Sequence, residues 1–340
     1  MNKSKIKKWL LVLAAFFVII IFCVWPTNYV IDAPGQASPV STLIKSNSKY
    51  NYSNFYFVTV SERPAVMIDY LTSYLRPYDS RYTQKQVRGN ASSSEYNEMQ
   101  KYYMSTSENN AIAYAAKKAQ VPYQQKYLGV YVMSILPHSN FKNKLQVGDT
   151  IVAVNNTKVS SIAQLQDYIK TLPNKTKINL KVLRNGKVKY LTGKVSPLTG
   201  TNHSGIGIQL VDHTQVTSKP SIRIDAGNIG GPSAGLMFSL ACYQIFTHEK
   251  LSTNKIAGTG TIDENGHVGM IGGIDKKVVA ADKKGIKVFF APTDQPAGIK
   301  KSETNYSEAV KTTKKIHSKM KIIPVNNFDD ALSYIKSHKN

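Results

Sequence analysis

A chain of 340 residues has room for two or three domains at the usual size of roughly 100–200 residues each. With 42% hydrophobic and 10% aromatic residues it can build cores, which excludes general disorder, and its two cysteines exclude a disulfide-stapled scaffold. The net charge of +23 comes from lysines spread along the chain, not from an arginine-rich block interleaved with aromatics. That distribution points away from nucleic acid and towards an anionic envelope surface.

The N-terminus reads first. Residues 9–25, from Trp9 to Trp25, carry no charge and no Gly or Pro. Seventeen helical residues reach about 25 Å at roughly 1.5 Å each, the short end of a membrane span. Trp9 and Trp25 bracket the run as interfacial anchors do. Lys3, Lys5, Lys7 and Lys8 precede it with no acidic residue, which places residues 1–8 in the cytoplasm and everything after Trp25 outside. The rival reading is a cleaved signal peptide, but Pro26-Thr27-Asn28-Tyr29-Val30 offers no small-x-small cleavage pattern. No later stretch approaches membrane length, so a single-pass protein at the cell membrane is expected. Cys23 falls in the apolar run and Cys242 in an expected helix, so no disulfide is expected between them.

Residues 26–123 form an N-terminal extracytoplasmic segment that shows no chemistry; packing against a catalytic domain is one role for it. Asn54–Val60 is rich in strand formers, 64–77 has helix-like apolar spacing, and 94–120 reads as a mostly polar helix. Residues 124–198 look self-contained. Strands are expected at Leu128–Leu136, Thr150–Val154, Ile178–Arg184 and Val188–Val195, with a helix at Ile162–Thr171 and a hairpin turn at Asn185-Gly186. Leu145-Gln146-Val147-Gly148-Asp149-Thr150-Ile151-Val152-Ala153-Val154-Asn155 makes this segment resemble a PDZ domain. The resemblance implies peptide binding by β-augmentation, with Leu128, Gly129 and Val130 where that family places its carboxylate-binding loop. A closed groove that only packs against its neighbour stays open as the other reading.

Residues 199–340 change character. Ser221-Ile222-Arg223-Ile224 reads as a strand, Asp225–Gly231 as a glycine-bearing loop, and Ala234–Phe246 as a helix. Ser233 therefore stands at a loop-to-helix junction. It could cap the helix, or it could be a nucleophile beside unpaired amides able to hold an oxyanion. A nucleophile needs a base. His138, His203, His213, His248, His267, His317 and His338 lie in no triad motif, and His248-Glu249 lacks the second histidine of a zinc site. No metal or other cofactor is expected. A lysine whose ammonium form is disfavoured by burial can serve instead. Lys276 and Lys277 follow Gly272-Gly273 at the start of an apolar helix, and helical periodicity does not separate them.

Gly231-Pro232-Ser233-Ala234-Gly235, Gly258-Thr259-Gly260, Ile271-Gly272-Gly273-Ile274-Asp275-Lys276-Lys277 and Gly285–Pro292 follow in an order that resembles the proteolytic domain of Lon proteases. With the N-terminal run and the PDZ-like segment, the chain resembles the membrane-anchored, PDZ-containing Lon-like proteases of Gram-positive bacteria. The implied fold is α+β: one transmembrane helix, a β-rich PDZ-like domain and a Lon-type proteolytic domain. The resemblance makes Ser233 the nucleophile, Lys277 the general base, and Thr259 the residue that orients the lysine amine. Ile229-Gly230 departs from energy-dependent Lon enzymes, which often carry Lys-Asp there. No Gly-x-x-x-x-Gly-Lys-Ser/Thr phosphate loop occurs in the chain, so an ATP-independent serine endopeptidase acting on secreted peptides or membrane-proximal proteins is expected. A catalytically inert PDZ-type scaffold at the envelope is the alternative; binding of envelope polymer or nucleic acid through charge is a third. The oligomeric state is not legible.

Overall fold

The computed structural model describes residues 3–52, 54–197 and 204–338, apart from the side chains of Lys3 and Ser4. The expected domain boundary at 198/199 and His203 lie outside the described residues. Helix α1 (Lys3–Val24) is apolar, and its span Lys5–Val24 has a mean hydropathy of 2.4 with none of it buried. It is long and apolar enough to cross a membrane, as an anchor or as a signal sequence. It ends where Pro26 disfavours helical backbone at the preceding residue.

Strand β1 (Pro26–Pro39) starts immediately after, and β2 (Phe55–Val66) pairs with it antiparallel, Asp32 opposite Glu62. The expected helix over 64–77 shrinks to α2 (Met67–Thr72) and one 3-10 turn, Ser73–Leu75. The difference has a tertiary cause: Pro64 and Arg63 are committed to β1, opposite Val30 and Ile31, so the strand runs on to Val66. Strand β3 (Ser80–Thr83) pairs with the other edge of β1. Helix α3 (Ser93–Lys118) opens on a capping box between Ser92 and Glu95. Its small buried residues Ala111, Ala115 and Ala116 let it pack closely on the later helix α5.

A second sheet follows, with its own core around Val130, Ile151, Leu165 and Leu180. It contains β4 (Tyr123–Ile135), β5 (Thr150–Val154), β6 (Lys177–Arg184) and β7 (Lys187–Lys194), with α4 (Ile162–Lys170) packed on one face. Asn185 and Gly186 join β6 to β7 with φ of 50° and 74°, the positive values a tight hairpin needs. Buried Asp149 accepts two 2.7 Å bonds from Arg184 and so neutralises its own desolvation. The sheet is completed by β8 (Ile208–Ser218), antiparallel to β4, in the order β8-β4-β5-β6-β7.

Helix α5 (Gly235–Thr247) is apolar on all sides, and accordingly sits in the middle of the largest core. Strands β9 (Ile256–Gly258), β10 (Val288–Pro292) and β11 (Lys321–Val325) join the first sheet, alternating with α6 (Ile274–Lys283) and α7 (Asn305–Lys315); α8 (Phe328–Ser337) follows. The sheet order is β11-β10-β9-β2-β1-β3, so half of its strands come from residues before 84. The N-terminal segment is built into the same sheet as the candidate catalytic elements.

Candidate active site

Ser233 ends the loop that precedes α5. Ala234, not Ser233, holds the cap position, and it makes no side-chain cap bond. The serine hydroxyl faces elsewhere: Lys277 Nζ lies 2.7 Å from Ser233 Oγ and 3.1 Å from Thr259 Oγ1. The Thr259 hydroxyl donates in turn to the Ser233 carbonyl at 3.0 Å, and Gly260 N–H donates to the same oxygen at 2.9 Å. The two residues that follow β9 thus fix both the lysine amine and the backbone of the serine. Gly235 is required by close approach: a Cβ there would stand 2.8 Å from Ile262 N and 2.9 Å from Ser107 Oγ. The N–H groups of Ser233 and Ala234 donate to no acceptor among the described residues, leaving two amides beside the hydroxyl for a developing oxyanion.

Lys277 and Lys276 are both 3% exposed, yet they differ in kind. Lys276 Nζ is ion-paired with Asp275 at 3.2 Å. Among the described residues Lys277 meets two hydroxyls and no carboxylate, and burial pulls its pKa down from 10.5 to about 7. A substantial fraction of the amine is then neutral near neutrality, with the basicity a proton acceptor needs. The α6 start that presents it depends on Gly273, whose φ of 65° opens the first turn.

Ser233 and Lys277 line a cavity of about 910 Å³ together with Val58, Thr59 and Val60 of β2. Strand β9 pairs with β2 only over Phe55–Phe57, so the β2 edge beyond Phe57 forms a wall of that cavity. Asp32 and Glu62 line it too. The Asp32 carboxyl is pushed up to about 6 by burial and by Glu62 beside it, and Tyr96 Oη donates to Glu62 at 3.1 Å.

Residues 26–123, for which packing against a catalytic domain is one expected role, reach this site through α3. Helix α3 holds the nucleophile loop along its length. Gln100 O accepts from Gly231 N–H at 3.1 Å, Ser107 Oγ donates to Pro232 O at 2.9 Å, and Glu108 accepts from Ala226 N–H at 3.1 Å. The other side of α3 grips β8: Tyr102 Oη donates to Asp212 O, and Asn109 bonds both Thr214 O and Val216 N–H. One helix therefore spans the nucleophile loop and the edge of the second sheet. The capping box at Ser92 marks the helix in sequence, but nothing local marks its partners.

Leu128, Gly129 and Val130 lie inside β4, not in a loop. Gly129 pairs with His213 of β8, and Val130 pairs with Asp212 on one side and Ile151 on the other. Leu128 falls at the register shift between the Gly129 and Tyr127 pairs, has no strand partner among the described residues and is 39% exposed. The outer edge of β8 is itself held by α3 between Asp212 and Val216. Among the described residues no three His, Cys, Asp or Glu side chains gather as a metal site.

Residues 205–337 match the Lon protease (S16) C-terminal proteolytic domain. The chain carries a Lon-type proteolytic domain. Residues 100–195 match a PDZ domain, a range that begins within α3. The chain is 34% identical over 110 residues to the Lon protease of Metamycoplasma arthritidis, and 36% identical over 105 residues to that of Campylobacter jejuni. These alignments cover 32% and 31% of this chain, and 12% of each relative. The PDZ domain of the SdrC-like protein of Listeria monocytogenes is 27% identical, covering 25% of this chain and 90% of that one, with a TM-score of 0.24. The Lon-type domain and its protease relatives support a peptidase function of the serine class.

Proposed function

We propose that this chain is an ATP-independent serine endopeptidase, anchored by α1 with its bulk outside the membrane, in which Ser233 is the nucleophile and Lys277 the general base. The observation that supports it most is the 2.7 Å contact between Ser233 Oγ and an amine buried deeply enough to lose its proton near pH 7. In the neutral state the Ser233 hydroxyl donates to Lys277 Nζ. As Oγ attacks the substrate carbonyl carbon, its proton passes to the amine and the carbonyl oxygen becomes an oxyanion facing the Ser233 and Ala234 amides. Collapse breaks the C–N bond, and the Lys277 ammonium returns its proton to the leaving amine. A water molecule, deprotonated by the same amine, then hydrolyses the acyl-enzyme. Thr259 keeps the lysine pointed at Oγ throughout.

The β2 edge at Val58–Val60, on the cavity wall and beyond its pairing with β9, suits an extended substrate backbone, which would pair with it as an added strand. Substrates are accordingly secreted peptides or locally unfolded stretches of membrane-proximal proteins. Incubating the full chain in detergent with an unstructured peptide tests the reading. Cleavage should disappear in Ser233→Ala and Lys277→Ala and persist in Lys276→Ala. Cleavage that survives Lys277→Ala and vanishes in Lys276→Ala would sink the assignment of the base. Peptide binding without turnover, and no labelling of Ser233 by a serine-reactive probe, would favour an inert scaffold.

A further inference from the structure

Next to the end of α1 lies an apolar surface that the catalytic machinery does not use. Helix α2 packs against the end of α1, and Met67 N–H donates to Trp25 O at 2.9 Å. Ile68 and Leu71 on α2, then Tyr74 and Leu75 on the turn that continues it, are 44%, 49%, 61% and 84% exposed. The opposite face of this element is anchored in the fold. Ser73 is fully buried with its hydroxyl on Tyr70 O, and the Tyr70 ring lies 4.5 Å from that of Tyr29 on β1. A rim of arginines borders it: Arg63 and Arg76 pair with Asp69 and Asp79, and Arg81 sits 4.1 Å over the Tyr74 ring.

An exposed Ile-Leu-Tyr-Leu face is costly in water unless something covers it. Its position names the cover. The face is continuous with Val24 and Trp25, 58% and 60% exposed at the end of a helix fit to cross a bilayer. A tyrosine- and arginine-rimmed apolar face at the end of a span has the chemistry of an interfacial element. We infer that α2 and its following turn lie in the lipid headgroup layer, with Ile68, Leu71 and Leu75 inserted among the acyl chains beside α1. This rests on the reading of α1 as an uncleaved anchor. The catalytic sheet then has two attachments to the bilayer, a span and a surface helix, which together fix its orientation; one span alone would let it swivel.

The test uses the full chain, with Cys23→Ala to leave only the buried Cys242, reconstituted in phosphatidylcholine–phosphatidylglycerol vesicles. An environment-sensitive dye is placed by Leu75→Cys, by Leu71→Cys, or by Tyr190→Cys on the remote hairpin strand β7, where Tyr190 is 70% exposed. The dyes at 71 and 75 should be blue-shifted and quenched by brominated lipid, while the dye at 190 should be quenched only by aqueous iodide. Carbonate washing in the same samples reports whether α1 is inserted. Carbonate-resistant protein whose dyes at 71 and 75 respond like the dye at 190 would overturn the inference and leave the anchor intact. Protein removed by the wash would remove the anchor reading and this inference together.

Discussion

Lys277→Met should abolish activity and yet make the protein more stable, and the size of the gain should depend on pH in a fixed way. Holding a lysine at a pKa of about 7 where the unfolded chain has 10.5 costs about 5 kcal/mol below pH 7, at roughly 1.4 kcal/mol per pH unit. Methionine fills a similar volume without the charge. It forfeits the contacts of Nζ to Ser233 and Thr259, worth about 0.5–1.5 kcal/mol each. The net expectation at pH 6 is a variant about 2–4 kcal/mol more stable than wild type. The sign follows from proton counts. Between pH 7 and 10.5 the unfolded wild type binds a proton at Lys277 that the folded state releases, so wild-type stability rises with pH. The advantage of the variant therefore shrinks through this window, and near pH 10.5 it reverses by about 1–3 kcal/mol because only the lost hydrogen bonds remain. Urea unfolding of the full chain in detergent, followed by far-UV circular dichroism, reads the difference; Trp9 and Trp25 both stand at α1 and report little on the catalytic core. A Lys277→Met variant less stable than wild type at pH 6, or a difference constant from pH 6 to 10, would refute a buried lysine held near neutrality.

The same titration shapes catalysis: kcat/KM should climb with an apparent pKa near 7 and level off above it, since only the neutral amine accepts the serine proton. A profile falling through that range would contradict the assignment. Thr259→Val keeps the volume but removes one of the two hydroxyls that hold the lysine amine and leaves the Ser233 carbonyl with Gly260 N–H alone, and should lower kcat by about 10–100-fold, or roughly 1.4–2.7 kcal/mol, with an unchanged circular dichroism spectrum. Ser107→Ala removes the bond from α3 to Pro232 O and should lower kcat by up to about 10-fold, with little effect on global stability. Arg184→Ala leaves the Asp149 carboxylate buried and unpaired, which should cost about 3–5 kcal/mol. Hydrogen exchange should then show faster opening of β5 and β6 while the α5–α6 site stays protected.

Much of this fold was legible because its signals are local. The Asn185-Gly186 hairpin, the strand Thr150–Val154 and the apolar helix after Ser233 each announce themselves within a dozen residues. Other features depend on partners far away in sequence. Strand β2 continues past Pro64 because β1 is beside it, and it meets β9 some two hundred residues on. The role of α3 rests on bonds to Pro232, Ala226 and Val216 that no periodicity encodes. Lys276 and Lys277 illustrate the limit at the site: adjacent on one helix and equally buried, they are told apart by where each amine points. The Leu128–Val130 segment lies within the bounds of β4, and which of its residues are paired depends on β8 and β5, both distant in sequence: Val130 has neighbours on both edges, Gly129 on one, and Leu128 sits at a register shift.

No flexible linker separates α1 from the catalytic sheet: the helix ends at Val24 and β1 begins at Pro26. From Pro26 to Asp32, on the wall of the cavity that holds Ser233, the strand spans about 20 Å at roughly 3.3 Å per residue. With α1 in a bilayer, this turns the strand into a measuring rod. A bond in a membrane-tethered substrate would come within reach of Ser233 only at the height the strand sets, at most about six extended residues above the membrane boundary. Selection would then operate on the height of a stalk as much as on the residues around the bond, and lengthening a tethered substrate by a few residues should move the cut site along it.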